Sequence, residues 1–251
     1  MENLFDISGK RAIVTGGSRG IGFSLAGALL NAGATVAITG SSETIRHAAD
    51  CLGPASRVKG FIGDFKAPDA VERCFHESLA YLGGIDILVN NAGTQIRHPS
   101  EAFPLEDFEA IIRVNLLSAF QMAQLAGREM LLQGSGKIIN IASMLSYFGG
   151  YTVPAYAASK GGIAQLTKSL SNEWAARGVN VNAIAPGYFA TDNTAAIRED
   201  PVRNREILSR IPAGRWGQPQ DLAGALLFLC SSASDYLSGI VLPVDGGFMG
   251  R

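Results

Sequence analysis

The chain has 251 residues, 47% of them apolar, and its 21 basic and 22 acidic side chains leave a net charge of −1 at pH 7. So even a balance excludes the basic face that nucleic acid or an anionic membrane would need, and a small molecule is the expected partner. A sequence of this length and apolar content suits one α/β domain, residues 1–251, built around a single large sheet.

In chain order, the start Met1-Glu2-Asn3-Leu4 lacks the basic and then apolar pattern of a secretory leader. No apolar run reaches the roughly 18 residues of a membrane helix, so no membrane association is expected. Short β-rich runs follow at 11–15, 35–39, 57–62, 86–90, 137–142, 180–185 and 240–244. Several are continuously apolar, which is how a strand covered on both faces reads, and this predicts a parallel sheet with helices on both sides. Amphipathic stretches at 69–81, 105–133 and 155–176 predict helices, with Pro68 and Pro104 at helix-start positions. Residues 188–218 are polar and arginine-rich, and are expected to be an irregular, mobile lid over a site. Neither a linker nor an internal repeat divides the chain. Cys51, Cys74 and Cys230 are too scattered for a disulfide framework and form no Cys-x-x-Cys pair, which fits a reducing cytoplasm.

Two constellations carry chemistry. Thr15-Gly16-Gly17-Ser18-Arg19-Gly20-Ile21-Gly22 follows the first strand and opens a helix. Glycines there let backbone amides approach a pyrophosphate, and the helix N-terminus adds a positive field, so the turn reads as a dinucleotide cradle. Tyr156 and Lys160 lie four residues apart in a helical pattern, on one face. A lysine ammonium beside a phenol favours the phenolate, and would lower the tyrosine pKa from about 10 toward neutrality. Ser143, at the end of the fifth strand, would hydrogen-bond a substrate oxygen where Tyr156 can exchange its proton. The residues contain no His/Cys/Asp cluster at metal spacing, and no catalytic metal is expected.

With these motifs, Asn90-Asn91-Ala92-Gly93, Asn115, and Pro186-Gly187 followed by Thr191, the chain resembles the short-chain dehydrogenase/reductase family over nearly its whole length. The resemblance implies a Rossmann-type, doubly wound, seven-stranded sheet of order 3-2-1-4-5-6-7. It also implies a catalytic group of Asn115, Ser143, Tyr156 and Lys160, with the asparagine helping to hold a water that links the lysine to solvent. Asp64 and Phe65 match the adenine position. Asn91, Ala92 and Gly93 line the cofactor, with Asn91 also tying strands together, and Thr191 matches the residue on the nicotinamide carboxamide. In relatives the subunits pair through the helices equivalent to 105–133 and 156–176, giving a dimer or a dimer of dimers.

Cofactor choice is read after the second strand. An acid there would hold the ribose of NAD(H); this chain has Ser41 and Ser42 instead, with Arg19 placed to pair with a 2′-phosphate. NADP(H) is favoured; NAD(H) stays possible because Glu43, one step on, could reach back. Residues 137–245 resemble dehydrogenases acting on C5 of 2-dehydro-3-deoxygluconate, and residues 90–103 resemble gluconate 5-dehydrogenases. A sugar acid needs a cation for its carboxylate, and Arg97, just past the fourth strand, is the leading candidate. Tyr188 follows, then Tyr151 and Arg215, while His98 reads as a solvated loop residue. The alternatives are a 3-oxoacyl thioester reductase and a non-catalytic cofactor-binding scaffold. The intact catalytic group argues against the second.

Overall fold

Seven runs of β-branched and aliphatic residues form strands, in a computed structural model that describes residues 3–250. They are β1 (Arg11–Thr15), β2 (Thr35–Gly40), β3 (Val58–Ile62), β4 (Ile87–Asn90), β5 (Gly136–Ile141), β6 (Val179–Pro186) and β7 (Val241–Val244). All pair in parallel, in the order β3-β2-β1-β4-β5-β6-β7. The expected sheet is therefore present, and each expected strand ends within one residue of the observed bounds.

Successive strand residues point to opposite faces, and both faces are covered. On one, Val14, Val36, Ile38 and Val89 pack with Leu25 and Leu29 of α1 (Gly20–Asn31), Ile45 of α2 (Thr44–Leu52) and Leu226 of α9 (Ala223–Cys230). On the other, Ile13, Ala37, Leu88 and Ile138 pack with Phe75 of α3 (Pro68–Leu82), Met122 of α5 (Ser118–Gln133) and Leu170 of α6 (Pro154–Trp174). These aliphatic and aromatic side chains contribute roughly 1.5–3 kcal/mol each on full burial. Cys230 lies in the first cluster and Cys74 in the second, whereas Cys51 is exposed. No helix among the described residues is long and apolar enough to cross a membrane.

Two elements depart from expectation. The helix expected over 105–133 is divided: α4 (Leu105–Ile112) and α5 are joined by a π-helical turn, Arg113–Leu117. Such a turn widens the backbone by one residue per turn. It accommodates Asn115, whose buried side chain turns inward to bond both backbone groups of Thr94. Residues 188–218 are not irregular. They hold a 3₁₀ turn (Asp192–Thr194), α7 (Ala195–Glu199) and α8 (Pro201–Leu208), and return to their root through a Phe189–Gly217 bridge. α8 begins as local chemistry dictates, with Pro201 in its first turn and the Asp200 carboxylate accepting from the Val202 and Arg203 amides. Met144, Ile211 and Phe248 form a small cluster that joins this segment to the loop after β5 and to the chain's last described turn.

Candidate active site

Seven parallel strands place their carboxyl ends on one edge, and the reversal of strand order between β1 and β4 opens a crevice there. The glycine turn lies at its centre. Gly16 has φ +67° and an added Cβ would sit 2.8 Å from the Ala92 Cα, while a Cβ on Gly22 would strike the Gly16 carbonyl and the Asn91 amide. The turn is locked to the segment after β4. Asn91 Nδ2 donates to the Thr15 and Gly16 carbonyls at 2.9 and 3.0 Å, and Thr15 Oγ1 accepts from the Asn91 and Ala92 amides at 3.0 and 2.9 Å. The side chain of Asn91 is thus spent on holding the cradle. The narrow, Cβ-free turn at a helix N-terminus fits a pyrophosphate.

The flanks of the cradle fit an adenosine carrying a phosphate. Arg19 is exposed, and its guanidinium lies 3.5 Å from Asp192 at the start of the 188–218 segment. Ser41 and Ser42 are exposed at the end of β2. Glu43, which could have favoured the ribose of NAD, instead pairs with Arg46 at 2.8 Å, one turn into α2. Asp64 is exposed and turns its own backbone, accepting from the Lys66 amide at 3.1 Å, and the Phe65 side chain is buried in the core. Phe65 therefore has only its backbone to offer a cofactor. Pro186 ends β6, the Gly187 amide donates to the Val244 carbonyl at 2.9 Å, and Thr191 packs over Gly20. That contact rests the root of the 188–218 segment on the cradle.

The four expected catalytic residues converge beyond it. Ser143 caps the 3₁₀ turn Met144–Ser146, its Oγ accepting from the Leu145 amide at 3.1 Å, and stands near enough to the Tyr156 hydroxyl to favour the phenolate. Lys160 Nζ donates to the Ile141 carbonyl at 2.6 Å and sits over the face of the Tyr156 ring, 5.7 Å from its centroid. Asn115 Nδ2 donates to Ser159 Oγ at 3.1 Å, and that hydroxyl donates to the Tyr156 carbonyl at 2.7 Å. Ser146 Oγ donates to the Lys160 carbonyl at 2.7 Å, which ties the serine turn to α6. Ser146 and Ser159 are positioning residues that the motifs did not single out. Ser146 had a readable signal in the Ser-x-x-Ser spacing of a capping box.

The electrostatics correct one expectation. Burial pushes the Tyr156 phenol above its ordinary value, opposed only in part by the Ser143 hydrogen bond, and burial pulls Lys160 down to about 8. The lysine reaches the ring face and a carbonyl, so the protein alone does not produce the lowered tyrosine pKa.

Arg97, on the loop that leaves the carboxyl end of β4, is exposed and lies within electrostatic reach of Arg203 and Tyr188. Its pKa is pulled below the ordinary value by partial desolvation and by the charge of Arg203, against the favourable influence of Tyr188. No carboxylate pairs with Arg97 among the described residues. Tyr188 lies edge-on to Trp216 at 5.6 Å and to Phe248 at 5.4 Å. Tyr151 is 90% exposed, and Arg215 is held by both oxygens of Asp221 at 2.6 and 3.0 Å beside a pocket of about 200 Å³. His98, expected in solvent, is half-buried and lies 2.8 Å from Asp107. No group of three or more His, Cys, Asp or Glu among the described residues could hold a metal.

The family described as enoyl-(acyl carrier protein) reductase matches over residues 16–249. A 2-dehydro-3-deoxy-D-gluconate 5-dehydrogenase of Bacillus subtilis (strain 168) is 49% identical over 252 residues, covering 100% of this chain and 99% of the relative. One from Escherichia coli (strain K12) is 45% identical, covering 99% of each. The crystal structure of a gluconate 5-dehydrogenase from Burkholderia cenocepacia J2315, in complex with NADP and tartrate, superposes with a TM-score of 0.94 at 41% identity, over 99% of this chain and 98% of that one. Cradle, catalytic group and likeness agree over the full length, and the chain belongs to the short-chain dehydrogenase/reductase family of oxidoreductases.

Proposed function

We propose that the protein moves a hydride between NADP(H) and C5 of a sugar acid, interconverting a hydroxyl and a carbonyl. The observation that carries the substrate class is the unpaired Arg97 on the loop after β4, with Arg203 within electrostatic reach, which suits a carboxylate. The relatives named for C5 of sugar acids, and the neighbour solved with NADP and tartrate, support the same reading. The exposed Arg19, Ser41 and Ser42, with Glu43 neutralised by Arg46, favour NADP(H) over NAD(H).

The bound cofactor would supply the hydride in reduction and accept it in oxidation. Gly16, Ser18, Gly20, Ile21 and Gly22 would seat its pyrophosphate, Asp64 and the Phe65 backbone its adenine, and Ala92, Gly93, Pro186, Gly187 and Thr191 its nicotinamide half. Ser143 binds the substrate oxygen and fixes it against the Tyr156 hydroxyl. In reduction, Tyr156 gives its proton to that oxygen as C5 takes the hydride; in oxidation it takes the proton back. Lys160 stabilises the resulting phenolate, and Asn115 connects this group to the crevice water. Arg97 and Tyr188 hold the far end of the substrate, and residues 188–218 act as a lid.

Helices α4 to α6 are proposed to pair across a two-fold axis in a dimer or dimer of dimers, since Leu105, Leu117, Phe120 and Leu132 of that face are exposed. The free thiols support a cytoplasmic location.

The test is steady-state reduction of 5-keto-D-gluconate, followed by loss of reduced-nicotinamide absorbance with NADPH and with NADH. NADPH should be preferred, and Arg97→Ala should raise KM for the keto acid at least about tenfold while the uncharged 5-keto-D-fructose changes little. Equal losses on both substrates would make Arg97 a loop support. A wild type that prefers acetoacetyl thioesters over every sugar acid would favour the 3-oxoacyl thioester reductase reading instead.

A further inference from the structure

Arg97 is held from both sides of its own loop. The nine residues between β4 and the 3₁₀ turn Ser100–Ala102 belong to no ladder or helix. Their early part is anchored by Thr94, whose amide donates to Asn115 Oδ1 at 2.7 Å and whose carbonyl accepts from Asn115 Nδ2 at 2.9 Å. Their late part is anchored by His98. Its Nε2 lies 2.8 Å from the Asp107 carboxylate of α4, and its ring stands edge-on to Phe103 at 5.1 Å. Its backbone amide donates to the Thr152 carbonyl at 3.2 Å. The His98 and Asp107 side chains are 34% and 31% exposed, so the pair is partly sheltered from solvent.

Thr152 adds a second observation. It has φ +61°, the one non-glycine residue among those described in the left-handed region, and it lies four residues before Tyr156. A threonine persists there only where its surroundings over-determine the backbone. The hydrogen bond from His98 is one such constraint, and it links the loop bearing Arg97 to the segment that leads into the Tyr156 helix.

We infer that His98 is a positioning residue: braced by Asp107 and Thr152, it fixes Arg97 at a set distance from Tyr156 so that a substrate carboxylate and the reacting carbonyl are aligned together. The inference rests on the reading of Arg97 as the carboxylate's partner. It has a physical motive in the surroundings of Arg97, where the charge of Arg203 repels and no acid holds the guanidinium in place. An arginine ordered before the substrate arrives does not have to be ordered by it, so the carboxylate binds more tightly to a braced Arg97 than to a loose one.

The experiment compares Asp107→Ala, Asp107→Asn and His98→Phe, each alone and combined with Arg97→Ala. The readouts are kcat and KM for 5-keto-D-gluconate and 5-keto-D-fructose, NADPH affinity by fluorescence, and hydrogen exchange over residues 94–99. Asp107→Ala should raise KM for the keto acid about tenfold, with kcat and NADPH affinity within about twofold and no change for the uncharged sugar. His98→Phe keeps the ring packing and the backbone bond and should behave the same way, so a folding defect in one variant leaves the other to decide. Asp107→Asn retains an acceptor for Nε2 and should recover most of the loss. Added to Arg97→Ala, either substitution should cost nothing further. Equal losses on both substrates, or full additivity with Arg97→Ala, would reduce the pair to a support for α4. If Arg97→Ala raises KM and the Asp107 and His98 variants do not, the brace is refuted while the carboxylate reading stands. If Arg97→Ala has no effect, both fall.

Discussion

Lys160 is buried with the Ile141 carbonyl as its acceptor, and its pKa falls from 10.5 to about 8. The sign of its effect on stability follows. Below pH 8 both folded and unfolded chains carry the proton, and the folded state bears the full cost of the buried charge, roughly 3 kcal/mol. Between 8 and 10.5 the unfolded chain holds a proton that the folded one has released, so this contribution to stability rises with pH. Lys160→Met, which removes the charge and loses one hydrogen bond of about 1 kcal/mol, should therefore stabilise the protein near pH 7 by about 1–2 kcal/mol. Urea midpoints should show that advantage shrinking by pH 10, while kcat/KM drops at least about 10²-fold. A variant less stable than wild type at pH 7, with no narrowing at pH 10, would contradict the account. At this scale the sequence revealed Tyr156, Lys160 and Ser143 because their spacing encodes the chemistry. Ser159, Asp107 and Asp192 were hidden because each acts on a residue whose proximity is created by folding. Asp192, for example, meets Arg19 only where the 188–218 segment crosses the glycine turn.

Among the elements, α1 offers a comparison within one helix. Gly22→Ala places a Cβ against the Gly16 carbonyl and the Asn91 amide, so the lock between the two turns must open. It should destabilise the protein by about 2–4 kcal/mol and weaken NADPH binding at least about tenfold. Gly27→Ala meets only the far end of Leu52 at 3.4 Å, and should be neutral or stabilise by about 0.5–1 kcal/mol, as alanine does inside a helix. Thermal melts and fluorescence titrations of both variants check the contrast; similar losses in the two would show that helix α1 is sensitive as a whole. The strands were readable because period and β-branching act locally. The π turn was not, since apolar periodicity runs unbroken through 105–133 and the pull on Asn115 comes from Thr94, 21 residues away in the loop after β4. Arginine content made 188–218 read as irregular, yet Asp200-Pro201 is an ordinary helix start that charge composition concealed.

For the whole molecule, the proposed assembly rests on exposed apolar side chains of α4 and α5. Leu105 and Leu132 are 71% and 86% exposed, and Leu117 and Phe120 between them in sequence are exposed as well, which fits a helix face that a second copy covers. Light scattering at micromolar concentration should report a dimer or tetramer, and Leu132→Glu with Leu105→Glu should shift it toward smaller species. A wild-type monomer at that concentration would remove the proposed pairing. The seven-strand order was legible through the family resemblance that the motifs carry, whereas subunit contacts leave no such mark in one chain.

The placement of the cysteines gives each side of the sheet its own clock. Cys51 is exposed on α2 and open to a thiol reagent in the native protein. Cys74 is buried with the helices of one face, its thiol pushed up to about 12, and Cys230 is buried with those of the other and also pushed up. Neither can react until its own layer parts from the strands. Two labelling rates, read from one unmodified chain, therefore time the opening of the two layers separately.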